Sequence, residues 1–210
     1  MGWIMMYEHE TRLLAAGYQS IAGCDEVGRG PLAGPVVCAA VILDPGHTIE
    51  GLDDSKKLTP AKRLRLDARI RQAARAYAVV FITATDVDDM NVYQASRHGM
   101  MLALDQLDTP PDYVLSDAMP LKLNCPSLSL IKGDQISATI AAASILAKVA
   151  RDAYMVELGK QYPEYGFERH KGYPTPEHLS ALKQFGPIPE HRRSFAPVAE
   201  ASERQGRFNL

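Results

Sequence analysis

No stretch of the 210 residues approaches the roughly 20 consecutive apolar positions of a bilayer-spanning helix, so no transmembrane helix is expected. Cysteine is scarce: Cys24, Cys38 and Cys125 form no Cys-x-x-Cys pair and leave one over. That excludes a disulfide framework and fits a reduced, cytoplasmic chain. Acidic residues interrupt the N-terminal segment within ten positions, so no secretory hydrophobic region is read there. Net charge is also nearly absent, 23 basic against 25 acidic side chains, which argues against a wholesale nucleic-acid coat. What is present is ordinary for a globular chain: 46% hydrophobic and 23% charged residues exclude wholesale disorder and collagen-like repeats. The length suits one domain, or one domain with a modest appendage.

The charge that exists is segregated. Lys56 to Arg75 holds eight basic residues against one acidic, whereas Asp86 to Asp117 holds seven aspartates against one arginine. Arg169 to Arg193 is basic again and carries three of the six histidines. Such segregation can present a polyanion footprint on a near-neutral molecule, although a solvated helix face is the commoner meaning of a charge run.

Residues 21–43 read as two paired strands joined by a glycine-rich turn, the second strand being 36–43. Thr59-Pro60 has the form of a helix start, N-cap followed by proline at the first helical position. Residues 77–85 read as a strand and 85–107 as helical, with Thr85 or Asp86 as cap. Residues 113–116 and 128–131 read as short strands. A long alanine-rich helix is expected over 136–161, where no proline intervenes, and a shorter helix over 176–185. The pattern suits an α/β fold, a mixed sheet with helices on its faces. The domain reading is an N-terminal extension at 1–18, a catalytic body at 19–165 and a C-terminal appendage at 166–210.

Four acidic residues, Asp25, Glu26, Asp117 and Asp134, end or flank strands. Clustered carboxylates repel and raise one another's pKa, a penalty that a divalent cation removes. Hard oxygen donors without cysteine or histidine neighbours favour Mg²⁺ or Mn²⁺. Asp25 and Glu26 point to opposite faces of a regular strand, so sharing a site requires the strand to bend or end there. Gly28 and Gly30 allow that.

Other segments have both a ligand-binding and a plain structural reading. Gly28-Arg29-Gly30-Pro31-Leu32-Ala33-Gly34 could cradle phosphate or simply connect strands; it is no P-loop, because no Gly-Lys-Ser/Thr follows. Asp54-Ser55-Lys56-Lys57 suits phosphate oxygens or a polar turn. His170-Lys171-Gly172-Tyr173 and His191-Arg192-Arg193-Ser194-Phe195 place aromatics among basic residues, as ring-stacking nucleic-acid sites do, or as buried rings do. Ser144 and Lys148 lie four apart on the long helix; Ser144 has no base beside it and reads as small-residue packing.

These segments, with Lys132-Gly133-Asp134 and Ala142-Ala143-Ser144-Ile145-Leu146-Ala147-Lys148-Val149-Ala150-Arg151-Asp152, resemble bacterial ribonuclease HII in order from about Ile21 to Val198. The resemblance implies an RNase H-like fold. It also implies endonucleolytic cleavage of the RNA strand of RNA–DNA hybrids, and cutting on the 5′ side of single ribonucleotides in duplex DNA. It places two Mg²⁺ or Mn²⁺ ions among Asp25, Glu26, Asp117 and Asp134, with Asp25 shared between them, and 3′-OH and 5′-phosphate ends on the products. Gly28, Arg29 and Gly30 fall on the loop that contacts the ribonucleotide 2′-OH, and Tyr173 on the tyrosine that stacks on the sugar at the ribo–deoxy junction. Ser55, Lys56, Lys57, Lys148, Arg192 and Arg193 are the remaining expected substrate contacts. One departure stands out: the family usually has Asp-Gly where this chain has Asp117-Ala118.

The implied partners are the hybrid and ribonucleotide-containing duplex DNA, with no membrane and a monomeric chain. Docking of the C-terminal tail on a replication clamp is left open. Two rivals are a junction resolvase, which would ignore the 2′-OH, and a non-catalytic nucleic-acid-binding module, which would not cut.

Overall fold

The computed structural model describes residues 6–208, with side chains as far as Arg204. The tail considered for clamp docking, 206–210, therefore has no described side chains. Helix α1 (Glu8–Ala15) precedes strands β1 (Ile21–Val27) and β2 (Val36–Leu43). Then come α2 (Pro60–Ala73), β3 (Ala74–Ile82), α3 (Ala84–Met90), α4 (Val92–Asp105), β4 (Tyr113–Asp117) and β5 (Ser127–Leu130). The remainder is helical: α5 (Ala138–Gln161), α6 (Phe167–His170), α7 (Pro176–Phe185) and α8 (Ala196–Phe208), with short 3₁₀ turns at Gly133–Gln135 and Pro163–Tyr165. No helix among the described residues is long and apolar enough to cross a membrane.

The expected mixed sheet is present, in the order β3-β2-β1-β4-β5. Strand β1 runs antiparallel to β2 and parallel to β4, and β4 is parallel to β5. Thr59 caps α2 as its sequence suggests, its hydroxyl accepting from the Lys62 amide at 3.3 Å, with Pro60 in the first turn. The helical reading of 85–107 needs correction in two respects. Its cap is Thr83, not Thr85 or Asp86. Thr83 and Asp86 form a reciprocal capping box, so Asp86 belongs to the first turn. The segment is also two helices, broken at Asn91, whose φ of 67° interrupts the ladder.

Two compact units emerge, each assembled from separated stretches. The first comprises the chain up to Val27, Val37–Val80 and Arg97–Val149, and contains the sheet. Ile21, Leu115 and Ile140 form part of its core, with Leu13, Leu14 and Tyr18 packed against them. The buried Glu10 carboxylate accepts hydrogen bonds through Oε1 from the Ser137 hydroxyl (2.6 Å), the Thr139 amide (2.9 Å) and the Thr139 hydroxyl (2.8 Å). A side chain in α1 thus caps the start of α5, supplying an acceptor and a negative charge where the helix exposes unpaired amides.

The second unit comprises Gly28–Val36, Phe81–Ser96 and the chain from Ala150 onward. Its core joins Ala33, Met155, Leu158, Tyr165, Phe167 and Ala181. A histidine chain runs beside it. The Ile188 amide donates to His191 Nδ1 (3.1 Å), leaving His191 Nε2 to donate to His178 Nε2 (3.0 Å) and His178 Nδ1 to donate to the Tyr173 carbonyl (3.0 Å). Burial pulls His178 down to about 4 and His191 to about 3. Between pH 6.5 and 4 the unfolded chain binds protons that this pair refuses, so its stability is complete above pH 6.5 and is lost as the pH falls. At pH 5 the loss is about 2 kcal/mol for His178 alone. His178→Asn keeps a donor near Nδ1 but does not titrate. The decline in denaturant-measured stability from pH 7 to pH 5 is expected to be smaller in that variant than in the parent; equal declines would remove His178 from the acid response.

Candidate active site

The register of β1 on β4 brings the acidic residues together. Cys24 pairs with Ser116, so the next positions, Asp25 and Asp117, stand side by side on one face. Asp117 closes β4, whereas β1 neither bends nor ends at Asp25 but runs on to Val27, with Asp25 and Glu26 still paired to Ala39 and Cys38 of β2. Gly23, two residues before Asp25, shares that face. A Cβ there would lie 2.2 Å from the Thr139 carbonyl carbon and 2.4 Å from the Ile140 amide nitrogen. Helix α5 therefore lies against bare backbone, close enough for Ser144 to hydrogen-bond the Asp25 carboxylate. Ser144 also shares a 2.9 Å hydrogen bond with the buried Ser55 hydroxyl.

Asp25 is only 5% exposed, and its Oδ1 accepts from the Glu26 amide at 2.7 Å. Burial first, then the charges of Glu26 and Asp117, hold its carboxyl well above the usual range, while the Ser144 bond opposes them. Asp117 Oδ1 accepts from the Gly133 amide at 2.7 Å. That bond draws in the 3₁₀ turn, where Lys132 takes a left-handed conformation (φ 57°) and delivers the buried Asp134. Burial, Asp54 and Asp117 push Asp134 up to about 6, and Lys56 pulls the other way.

Asp54 was not among the acids singled out in the sequence, because Asp53-Asp54-Ser55-Lys56 has the look of a solvated turn. It is instead 7% exposed, accepts from the Lys56 amide (2.9 Å) and the Gln135 side chain (3.3 Å), and hydrogen-bonds Asp134. Arg63 fixes the same turn by donating to the Ser55 and Leu58 carbonyls. Lys56 and Lys57 remain exposed, and Lys148 is half-buried on α5.

The donor set fits a hard divalent cation in its chemistry: neighbouring carboxylate oxygens, with burial first and then mutual repulsion lifting Asp25 and Asp134. Among the described residues, no three histidine, cysteine or acidic side chains converge at coordination distance.

In the second unit, Gly28 is buried, whereas Arg29 and Gly30 are exposed. Tyr173 is 40% exposed, and its Cε1 would lie 3.5 Å from a Cβ at position 30. The loop and the expected stacking tyrosine are therefore neighbours.

The sequence profile described as Ribonuclease HII matches residues 22–198. The chain belongs to the ribonuclease HII family. Ribonuclease HII of Halalkalibacterium halodurans is 56% identical over 95% of this chain and 76% of its own length, and that of Geobacillus kaustophilus 52% identical over 94% and 76%. The crystal structure of the ribonuclease H2 from Pyrococcus horikoshii superposes with a TM-score of 0.77 at 29% identity, covering 89% of this chain and 98% of that one. Like its ribonuclease HII relatives, the chain is an enzyme that hydrolyses RNA in RNA–DNA hybrids, and the family is divalent-metal dependent.

Two features distinguish this ribonuclease HII chain from the sequence expectation. Ala118 sits at φ 44°, a conformation that favours glycine, at the point where the resemblance leads one to expect Asp-Gly. Arg192 was expected to hold a phosphate, but it is 0% exposed and its guanidinium is engaged by backbone carbonyls of the Gly28–Gly34 loop. Its side chain braces the loop. Arg193, by contrast, is exposed, its amide tied to Asp88 at 2.7 Å.

Proposed function

We propose that the enzyme cleaves both continuous RNA–DNA hybrids and duplex DNA carrying a single ribonucleotide, cutting on its 5′ side, with Asp25, Glu26, Asp117 and Asp134 holding two Mg²⁺ or Mn²⁺ ions. The observation that carries this reading is the buried Asp25 carboxylate on β1, facing the charges of Glu26 and Asp117. Bound divalent ions supply positive charge for an in-line displacement at phosphorus that leaves 3′-OH and 5′-phosphate ends. The protein's own part is positional. The Ser144 hydroxyl orients Asp25, and the Gly133 amide orients Asp117. In the second unit the exposed Gly30 backbone admits a ribose closely enough to test its 2′-OH, the group that DNA lacks. Tyr173 stacks on the adjoining sugar, in keeping with 166–210 as a substrate-binding segment. Ser55, Lys56, Lys57, Lys148 and Arg193 hold the backbone without reading sequence. In this reading the enzyme works as a cytoplasmic monomer.

The test uses two duplexes identical except for one ribonucleotide, with Mg²⁺, Mn²⁺ or chelator. Cleavage is expected only beside the ribonucleotide and only with metal. A cut in the all-DNA duplex would favour the resolvase reading, and cleavage surviving chelation would exclude the metal-dependent one.

A further inference from the structure

Two buried cations lie beneath the Gly28–Pro35 loop. Arg151 and Arg192 are both 0% exposed, and every hydrogen bond described for their guanidinium groups ends on a main-chain carbonyl. Arg192 uses all five of its N–H donors. Nε donates to Gly34 (3.1 Å), Nη1 to Arg29 (3.0 Å) and Pro31 (2.8 Å), and Nη2 to Gly28 (2.6 Å) and Gly34 (2.8 Å). Its own amide donates to the Leu32 carbonyl at 2.8 Å. Arg151 donates to Pro35 (2.9 Å), Ala33 (3.1 Å) and the Lys171 carbonyl (3.0 Å). Seven of the eight carbonyls from Gly28 to Pro35 are thus turned onto two residues.

Burial lowers Arg192 to about 9, with the Arg151 charge adding to the effect, and Arg151 to about 10; both stay protonated at neutral pH. Taking guanidinium groups out of water against carbonyl dipoles alone is expensive. A plain connection between two strands needs no such device. The cage has a geometric consequence: in a trans peptide the C=O and N–H point to opposite sides, so carbonyls drawn inward turn the amide side around Arg29 and Gly30 outward. Both residues are exposed there. Outward amides over buried positive charge suit an anionic backbone.

We propose that Arg151 and Arg192 are positioning residues for the cleavage reaction, holding the Gly28–Pro35 loop in the one conformation that meets the ribonucleotide. This rests on the reading that Gly28–Gly30 contacts substrate. Lysine concentrates three donors at one point and cannot span the four carbonyls that Arg192 engages. Arg192→Lys, confirmed folded by a cooperative melt, is therefore expected to lose at least about tenfold in kcat on a single-ribonucleotide duplex with KM within about threefold, because orientation is lost while charge is kept. Arg192→Ala is expected to recover part of its kcat with added methylguanidinium. A purely structural arginine would lower the melting temperature without that kcat loss. Should Arg192→Lys fail to fold, Arg151→Lys decides on the same readout. Folded lysine variants with parental kcat, beside a Gly30→Ala variant that has lost cleavage, would overturn the proposal and leave the loop reading standing. Unchanged cleavage in Gly30→Ala would overturn the loop reading and the proposal with it.

Discussion

Asp25→Asn is expected to lower single-turnover cleavage of an RNA–DNA hybrid by about a thousandfold or more, while hybrid binding measured in chelator changes little. The substitution is nearly isosteric and removes one charge from a residue that is 5% exposed. It should also raise the melting temperature. Asp25 is held well above its ordinary pKa by burial and by Glu26 and Asp117, so its ionised form weakens the fold at neutral pH, and a neutral amide relieves that repulsion. Loss of activity with gain of stability separates a functional acid from a structural one. Substantial turnover of Asp25→Asn at saturating metal would remove Asp25 from the mechanism.

The second large effect contrasts two glycines of one loop. Gly28 has φ +96°, and a Cβ there would lie 2.3 Å from Arg151 Nε and 2.8 Å from the Pro35 carbonyl oxygen. Gly28→Ala must therefore strain the backbone and displace the guanidinium, destabilising the enzyme by about 1–3 kcal/mol whatever the substrate does. Gly30 faces neither constraint: its φ lies outside the left-handed region, and the nearest atom to an added Cβ is Tyr173 Cε1 at an ordinary 3.5 Å. The fold can accept a methyl group at position 30, so glycine there serves whatever approaches from outside. Gly30→Ala should melt within a few degrees of the parent and yet lose about tenfold to a hundredfold in cleavage at a lone ribonucleotide. Thermal melts and cleavage assays on both variants check the contrast. Parental activity in Gly30→Ala would show that no ribose comes close to that backbone.

Features governed by neighbours in sequence were legible before the fold was seen. Thr59-Pro60 announced a helix, and the carboxylates interrupting or ending apolar strands announced a site, because an acid in such a place needs a reason nearby. Features that depend on distant partners were not. Arg151-Asp152 midway along α5 and Arg192-Arg193 in a basic run resemble solvated charge, and only the 0% exposure of Arg151 and Arg192 reveals otherwise. Asp54 was hidden by its turn-like neighbours, and its burial beside Asp134 comes from a residue 80 positions away. The misplaced cap of α3 had a different cause. Thr83, Thr85 and Asp86 all suit the role, and the Thr83–Asp86 spacing of a reciprocal cap decides among them.

The Glu10 carboxylate has a consequence for how the enzyme can vary. Three donors at the head of α5 converge on one of its oxygens, and the same helix carries Ser144 to Asp25. A rod gripped at its root transmits small rotations to its middle. A change at Glu10, which lies on a different element from every acid of the site, therefore reaches the acidic corner through the helix that carries Ser144.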